Sequence, residues 1–272
     1  MVRPIAAFAL VAWLAAAPAQ GQQTTQGSVY WDELTWTEIG EAIRSGKTTA
    51  ILPTGAIEDK GPHMAVNQHS VTVRYAAGEI ARRLGNALVA PLISYAPNGE
   101  IAPMPTGHMR MMGSLTLPHD VYSQFVEWAA RSLQFQGMRT IAIIWDSGGN
   151  AAGIKAAADR LNKEWAGTGS RVYPIDAYYL STNADFEPWL RQHGETQAAI
   201  GQQGGITQTS EVMAIDPSLL RRDKFAMGGP REMEGSGVTG DPRRATAPYG
   251  KQSIEMKVDA AIRQLKTLTA AK

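Results

Sequence analysis

The hydrophobic residues of this chain follow two patterns that alternate along the sequence. Segments with apolar residues at helical spacing predict amphipathic helices over 31–46, 70–85, 120–137 and 151–165. Short, continuously apolar segments between them predict buried strands over 48–55, 86–97, 138–146 and 171–180. The alternation indicates βαβ units, so the predicted fold class is α/β, with a largely parallel sheet flanked by helices.

Polar, glycine-rich loops follow three of the predicted strands. Residues 58–69 come after the first strand, 99–108 after the second and 146–150 after the third. Ligands of open α/β sheets bind at the carboxyl ends of the strands. We therefore expect the three loops to converge on one edge of the sheet and to carry the function.

The first residues have the order of a secretory signal peptide. Arg3 precedes an apolar run over 5–14, and small residues follow up to Ala19, where we expect cleavage. The alternative is a membrane anchor, but a run of about ten residues is shorter than the roughly twenty that span a bilayer. The sequence therefore predicts an exported protein, periplasmic or secreted, with no membrane contact after cleavage.

The remainder of the chain is long enough for one large domain. We expect a signal peptide over 1–19, a polar linker over 20–28 and a single domain over 29–272. The formal net charge is +1 and no basic cluster is interleaved with aromatic residues, which argues against a nucleic-acid partner. The chain has no cysteine, so thiolate catalysis and thiolate metal ligation are excluded.

The densest group of chemically competent side chains lies in "GAIEDKGPHMAVNQHS", residues 55–70. Glu58, His63 and His69 offer the oxygen and nitrogen donors that Zn²⁺ or Mn²⁺ accepts. No pair of them has the i, i+4 spacing of ligands on a helix. The alternative is a loop whose polar groups cap the following helix.

Two further segments offer hydrogen-bonding groups. "DSGGN" (146–150) places backbone amides at the start of a helix, where they can bind an anion or a carbonyl oxygen. The alternative is a strand-to-helix turn that needs glycine for its backbone angles. "GGITQTS" (204–210) supplies polar side chains that can bind a small ligand or cap a helix.

Taken together, these segments resemble the creatininase family of amidohydrolases. The resemblance covers five segments in the family's order: Glu58 to His63 with His69 at the position of a family Asp, His108 to Ser114, Ser147 to Asn150, Gln203 to Ser210, and Gly237 to Thr246.

The resemblance implies a three-layer α/β fold, a homo-oligomer, and hydrolysis of C–N bonds in small cyclic or linear amides. Bound divalent metals would polarise the carbonyl group and lower the pKa of a bridging water. The resemblance points to catalytic roles for Glu58, His63 and His108. It points to binding of a small-molecule ligand or substrate by Lys60, Ser147, Gly148, Gly149, Asn150, Gln208 and Asp241.

The sequence departs from the family pattern where metals would bind. Lys60 and Ser147 replace ligand histidines, His69 replaces a carboxylate, and Gln208 replaces an acidic ligand. A lysine ammonium has no lone pair to give to a metal. We therefore expect no tightly bound metal, the alternative being one Zn²⁺ or Mn²⁺ on Glu58 and His69. Two functions stay open: a hydrolase acting on a small amide, and a non-catalytic member that binds a small polar ligand or acts as a scaffold.

Overall fold

The computed structural model of the protein describes residues 27–229 and 235–270. The predicted signal peptide (1–19) and most of the predicted linker lie outside the described residues. Within the two described ranges, no helix is both long enough and apolar enough to cross a membrane.

The centre of the fold is a four-stranded sheet with the spatial order β2-β1-β3-β4. All three neighbouring pairs are parallel, which confirms the predicted α/β class. Its first three strands are almost wholly buried, as expected for a parallel sheet covered on both faces, whereas the edge strand β4 is buried only at Val172 and Tyr173. They are β1 (Thr49–Thr54), β2 (Ala87–Val89), β3 (Thr140–Trp145) and β4 (Arg171–Pro174).

Helices connect the strands and continue beyond the last one. They are α1 (Trp36–Arg44), α2 (Gln68–Leu84), α3 (His119–Phe135), α4 (Asn150–Glu164), α5 (Asp176–Ser181), α6 (Glu187–Gln192), α7 (Gln197–Ile200), α8 (Ile206–Ile215) and α9 (Ala247–Ala270). A π-helical turn, Thr182–Phe186, joins α5 to α6.

The four predicted helices are confirmed, and their ends have local causes. A capping box begins α1, because Thr35 accepts from the backbone of Glu38 while the Glu38 side chain accepts from the backbone of Thr35. Gly85 ends α2 in the left-handed conformation, with φ of 77°.

Two strand predictions are wrong in part. The strand expected over 86–97 ends at Val89, shortly before Pro91, which has no backbone N–H to donate to a neighbouring strand. The strand expected over 171–180 ends at Pro174, and α5 begins two residues later at Asp176, whose carboxylate favours a helix start.

The sheet separates two apolar layers, so the expected three-layer arrangement is confirmed. On one face, Leu52 and Ile143 pack with residues of α3 and α4. On the other face, Ile51 and Ile144 pack with residues of α2 and α9. Successive strand residues point to opposite faces, which is why adjacent positions belong to different layers.

Helix α9 lies unusually close to α8. A Cβ atom on Gly250 would collide with the backbone carbonyl of Ser210, so glycine is required at this crossing. The close approach brings Ser253 and Lys257, both buried, beside Glu211 of α8. Helix α9 thus delivers a lysine to the carboxyl edge of the sheet.

Candidate active site

A polar cavity of about 590 Å³ opens at the carboxyl ends of β1 and β3. These strands flank the point at which the order of the sheet reverses, which is the usual ligand position in open α/β sheets. The loops after both strands, the α5–α6 region, α8 and α9 contribute to its wall. The polar side chains of the wall are those of Glu58, His69, Asn98, Thr106, His108, Asp146, Ser147, Tyr179, Thr182, Asn183, Glu187, Gln202, Gln203, Thr207, Gln208, Glu211 and Lys257.

Glu58, in the loop after β1, is the point at which several wall residues meet. Its Oε1 accepts a hydrogen bond from Lys60 Nζ at 2.6 Å and lies 2.9 Å from His69 Nε2 and 3.4 Å from His108 Nε2. Its Oε2 lies 3.5 Å from Ser147 Oγ. Burial by itself would raise the pKa of Glu58, but Lys60 and His69 hold it well below its usual range. The Glu58 side chain is therefore an ionised carboxylate.

Lys60 supports Glu58 from behind the cavity wall. Its side chain is completely buried, and Nζ also donates to Gln203 Oε1 at 2.9 Å. Gln203 in turn donates from Nε2 to the backbone carbonyl of Asp59 at 2.5 Å. This bond fixes the orientation of the Gln203 amide, so that its oxygen faces Lys60. The ammonium group is thus held between a carboxylate and an amide oxygen.

His69, in the first turn of α2, bridges two carboxylates. Its Nε2 lies 2.9 Å from Glu58 Oε1, and its Nδ1 lies 2.9 Å from Asp146 Oδ2. Both contacts are hydrogen bonds when both ring nitrogens carry a proton. Burial and the Lys60 charge would lower the pKa of His69, but Glu58 and Asp146 raise it above its usual value. The geometry therefore favours an imidazolium, which has no lone pair for a metal.

A second lysine closes the other end of this chain of charges. Lys257 Nζ donates to Asp146 Oδ1 at 2.8 Å and to Glu211 Oε1 at 2.9 Å. Burial would raise the pKa of Asp146, but Lys257 and His69 lower it. Burial raises the pKa of Glu211, and the neighbouring Asp146 adds to that rise despite the lysine. Ser253 Oγ gives Glu211 Oε1 a further hydrogen bond of 2.6 Å.

The turn between β3 and α4 forms another part of the wall. Ser147, Gly148 and Gly149 line the cavity, and α4 begins directly after them. A side chain on Gly149 would strike the carbonyl of Pro97, so close backbone packing requires glycine here. Asn150 lies beneath the turn, donating from Nδ2 to Gly55 O at 2.9 Å. The turn is thereby tied to the end of β1.

The structure brings most of the candidate residues together. Glu58, His69, His108, Ser147, Gly148, Gly149 and Gln208 line the same cavity. Gln208 Oε1 also accepts from the backbone N–H of Gly204 at 2.7 Å, so it stabilises the start of α8 as well.

Other candidates lie outside the wall of the cavity, among them Lys60 and Asn150 described above. His63 is buried beside α8, with Nε2 3.1 Å from Thr209 Oγ1 and its ring edge-on to Phe225. Burial lowers the pKa of His63 to about 4, so the ring is neutral. Asp241 accepts from Arg243 at 2.7 and 2.8 Å and caps a short 3₁₀ helix, Pro242–Arg244.

Sequence reasoning missed Glu211 and Lys257. Glu211 lies in α8 and Lys257 in α9, and neither follows a predicted strand. A signal was present for the lysine, because Ile254, Val258 and Ala261 place an apolar stripe on both sides of it. A lysine inside such a stripe is buried, and a buried lysine requires an anionic partner.

Comparison with known proteins connects this arrangement to one family. The family model described as creatinine amidohydrolase matches residues 32–265. The creatinine amidohydrolase of Pseudomonas putida is 26% identical over 227 residues, covering 81% of this chain and 85% of the relative. The mycofactocin precursor peptide peptidase of Mycobacterium tuberculosis (strain CDC 1551 / Oshkosh) is 22% identical over 256 residues, covering 84% of this chain and 90% of the relative.

A solved structure described as the manganese form of creatininase has the same fold. It superimposes with a TM-score of 0.72 at 22% identity, covering 88% of this chain and 98% of the other. The family model, the curated relatives and the all-parallel layered sheet agree, and the resemblance seen in the sequence is confirmed. The chain belongs to the creatininase family.

Proposed function

We propose that this protein hydrolyses a C–N bond of a small polar amide bound in the cavity. The observation that carries the proposal is the ionised carboxylate of Glu58, one oxygen of which is anchored by Lys60 and His69 while the other is 3.5 Å from Ser147 Oγ. The family membership and the related activities of its curated relatives support the reaction class.

The wall residues offer a division of roles for this reaction. Glu58 and Ser147 can hold a water by hydrogen bonds, and the carboxylate accepts a proton from that water as its oxygen bonds to the amide carbon. The same carboxyl group can return the proton to the leaving nitrogen as the C–N bond breaks. The backbone N–H groups of Gly148 and Gly149, at the start of α4, can face the oxygen of the amide. Because the pKa of Glu58 is lowered, the carboxylate is a weak base. We therefore expect turnover slower than a metal-activated water gives.

The donors at this site do not fit the divalent metals of relatives. The ammonium of Lys60 lies 2.6 Å from Glu58, and both nitrogens of His69 face carboxylates. Among residues 27–229 and 235–270, no group of three or more His, Asp or Glu is arranged to hold a metal ion. We accordingly propose that the reaction uses no tightly bound metal, so Zn²⁺ or Mn²⁺ on Glu58 and His69 is not part of the mechanism.

A second candidate function is binding without turnover. It is favoured by the pairing of Glu58, Asp146 and Glu211 with cations inside the protein, which weakens each of these carboxylates as a base. In that case the cavity recognises a small polar ligand through the same wall residues and releases it unchanged.

The two functions are separated by measuring binding and turnover on the same molecules. Purified protein is incubated with creatinine, other cyclic amides, small linear amides and short peptides, and products are identified by mass spectrometry. Glu58→Gln should reduce any turnover by about 10²- to 10³-fold. Glu41→Gln, an exposed change on α1, is the matched control and should have no effect.

Binding is measured in parallel by calorimetry. Turnover that depends on Glu58 supports the hydrolase. Saturable binding of an amide without turnover supports the binding protein instead. If no amide either binds or reacts, both functions are contradicted.

A further inference from the structure

The carboxylates beside the cavity are balanced by cations that belong to the protein itself. Lys60 and Lys257 are 0% and 4% exposed, and each ammonium lies between two oxygens from different parts of the chain. Around Lys60 these are Glu58 Oε1 and Gln203 Oε1. Around Lys257 they are the carboxylate oxygens of Asp146 and Glu211.

His69 joins the two lysine pockets into one chain of alternating charge. Starting from Lys60, the contacts run through Glu58 to His69, then through Asp146 to Lys257 and Glu211. Every link is between 2.6 and 2.9 Å. A buried carboxylate is costly without a counter-charge, so each lysine lowers the cost of burying the carboxylates that it contacts and holds them in place.

We propose that Lys60 and Lys257 are built-in cations that take the electrostatic role of divalent metal ions at this cavity. The two lysines hold the site together in this way whether the protein is a hydrolase or a binding protein. Removing the ammonium of Lys257 should therefore leave a pocket of converging carboxylates that accepts a divalent cation.

The surroundings of Lys257 are suited to a divalent cation in place of its ammonium group. Asp146 and Glu211 converge on Nζ at 2.8 and 2.9 Å, and Ser253 orients Glu211. Lys257 lines the cavity, so a cation can arrive with water molecules that complete its coordination. Oxygen ligands bind Mn²⁺ or Ca²⁺ at roughly 2.1 to 2.6 Å, so the carboxylates need to close in by only about 0.5 Å.

The experiment compares the full chain with three lysine variants at one pH. Lys257→Met removes the charge while keeping an unbranched side chain. Lys60→Met does the same at the pocket outside the cavity wall. Lys251→Met is the matched control, because it lies on the same helix but is exposed. Thermal unfolding is measured with Mn²⁺ and, separately, with a chelator, and bound manganese is measured after dialysis.

The unmodified protein and Lys251→Met should unfold at the same temperature with Mn²⁺ and with chelator. Lys257→Met should unfold about 6 to 20 °C lower in chelator, because Glu211 loses the ammonium paired with it and Asp146 keeps only His69. Mn²⁺ should restore about 5 to 10 °C of that loss. Lys60→Met should be destabilised in the same way but gain less from Mn²⁺, because its pocket has one carboxylate and is closed to the cavity.

The metal response separates a counter-ion from a merely structural lysine. A Lys257→Met protein that is destabilised but indifferent to Mn²⁺ contradicts the proposal. So does an unmodified protein whose unfolding temperature rises with Mn²⁺.

If Lys257→Met does not fold alone, it is refolded from urea with Mn²⁺ or chelator. Recovery only with Mn²⁺ supports the proposal, and equal failure in both overturns it. Lys257→Arg, which keeps the charge, should stay unresponsive to Mn²⁺.

Discussion

Two histidines from the same loop-to-helix segment, His63 and His69, are both buried, yet their surroundings favour opposite charge states. His63 has a hydroxyl and an aromatic ring for neighbours, and burial lowers its pKa to about 4. His69 has a carboxylate on each nitrogen, and its pKa is raised. The difference teaches that burial decides the cost of a charge, whereas the partners decide whether the charge is present.

The largest expected effect comes from replacing each imidazole ring and measuring the free energy of unfolding. His69→Gln removes the cation between Glu58 and Asp146 and should lower the free energy of unfolding by about 3 kcal/mol at pH 7. His63→Gln, the matched change, removes a neutral ring and should cost about 1 to 2 kcal/mol. Urea unfolding of both variants measures the difference. Equal losses would show that His69 acts by packing, as His63 does.

The pH dependence of stability is the second test, and the two rings contribute with opposite sign. The folded pKa of His63 lies below its unfolded value, so its contribution is complete above about pH 6.5 and is lost as the pH falls toward 4. That loss is about 2 to 3 kcal/mol. The folded pKa of His69 is raised, so its contribution is present below about pH 6.5 and is lost as the pH rises through the folded pKa.

Comparing the unmodified protein with His63→Gln isolates the first contribution, since the carboxylates are common to both. The stability advantage of the unmodified protein over His63→Gln should fall between pH 6.5 and 4 and reverse sign near pH 4, because the loss of about 2 to 3 kcal/mol exceeds the cost of about 1 to 2 kcal/mol at pH 7. Nuclear magnetic resonance of the imidazole nitrogens reads the charge states directly at pH 7. A protonated His63 or a neutral His69 at that pH would reverse the comparison.

The smallest test concerns the hydroxyl that faces His63. Thr209→Val removes the partner 3.1 Å from His63 Nε2 and should cost about 1 kcal/mol. Thr207→Val, on the same helix, changes a buried hydroxyl that lacks a hydrogen-bond partner among the described residues, and should be nearly neutral. Thermal unfolding compares the two. A neutral Thr209→Val would mean that the hydroxyl does not help to hold the His63 ring.

The sequence contained enough to predict the fold because its signals are local. The helical spacing of α2, α3 and α4 and the apolar runs of β1 and β3 are read within a few turns of chain. The error at 171–180 is also local: Val172, Tyr173 and Ile175 favour a strand, but a helix begins at Asp176. The alternation of apolar residues does not mark that change.

The site was predicted less completely because its charges pair across long separations. Glu58, His69 and Ser147 follow predicted strands, so position in the fold identified them. Lys257 meets Asp146 from 111 positions away, and no spacing in the sequence reports that contact. His63 shows the reverse case. Its neighbours in the sequence suggested chemistry, whereas its spatial neighbours are Thr209 and Phe225.

The position of Lys257 on α9 determines when the site is completed during folding. During synthesis, the loops that carry Glu58 and Asp146 leave the ribosome well before α9 does. Asp146 gains the ammonium of Lys257 only when α9 docks on α8 through the close contact at Gly250. A metal ion can be stripped by a chelator and supplied again, but a tethered ammonium departs only with its helix. Loss of the site and undocking of α9 are therefore one event.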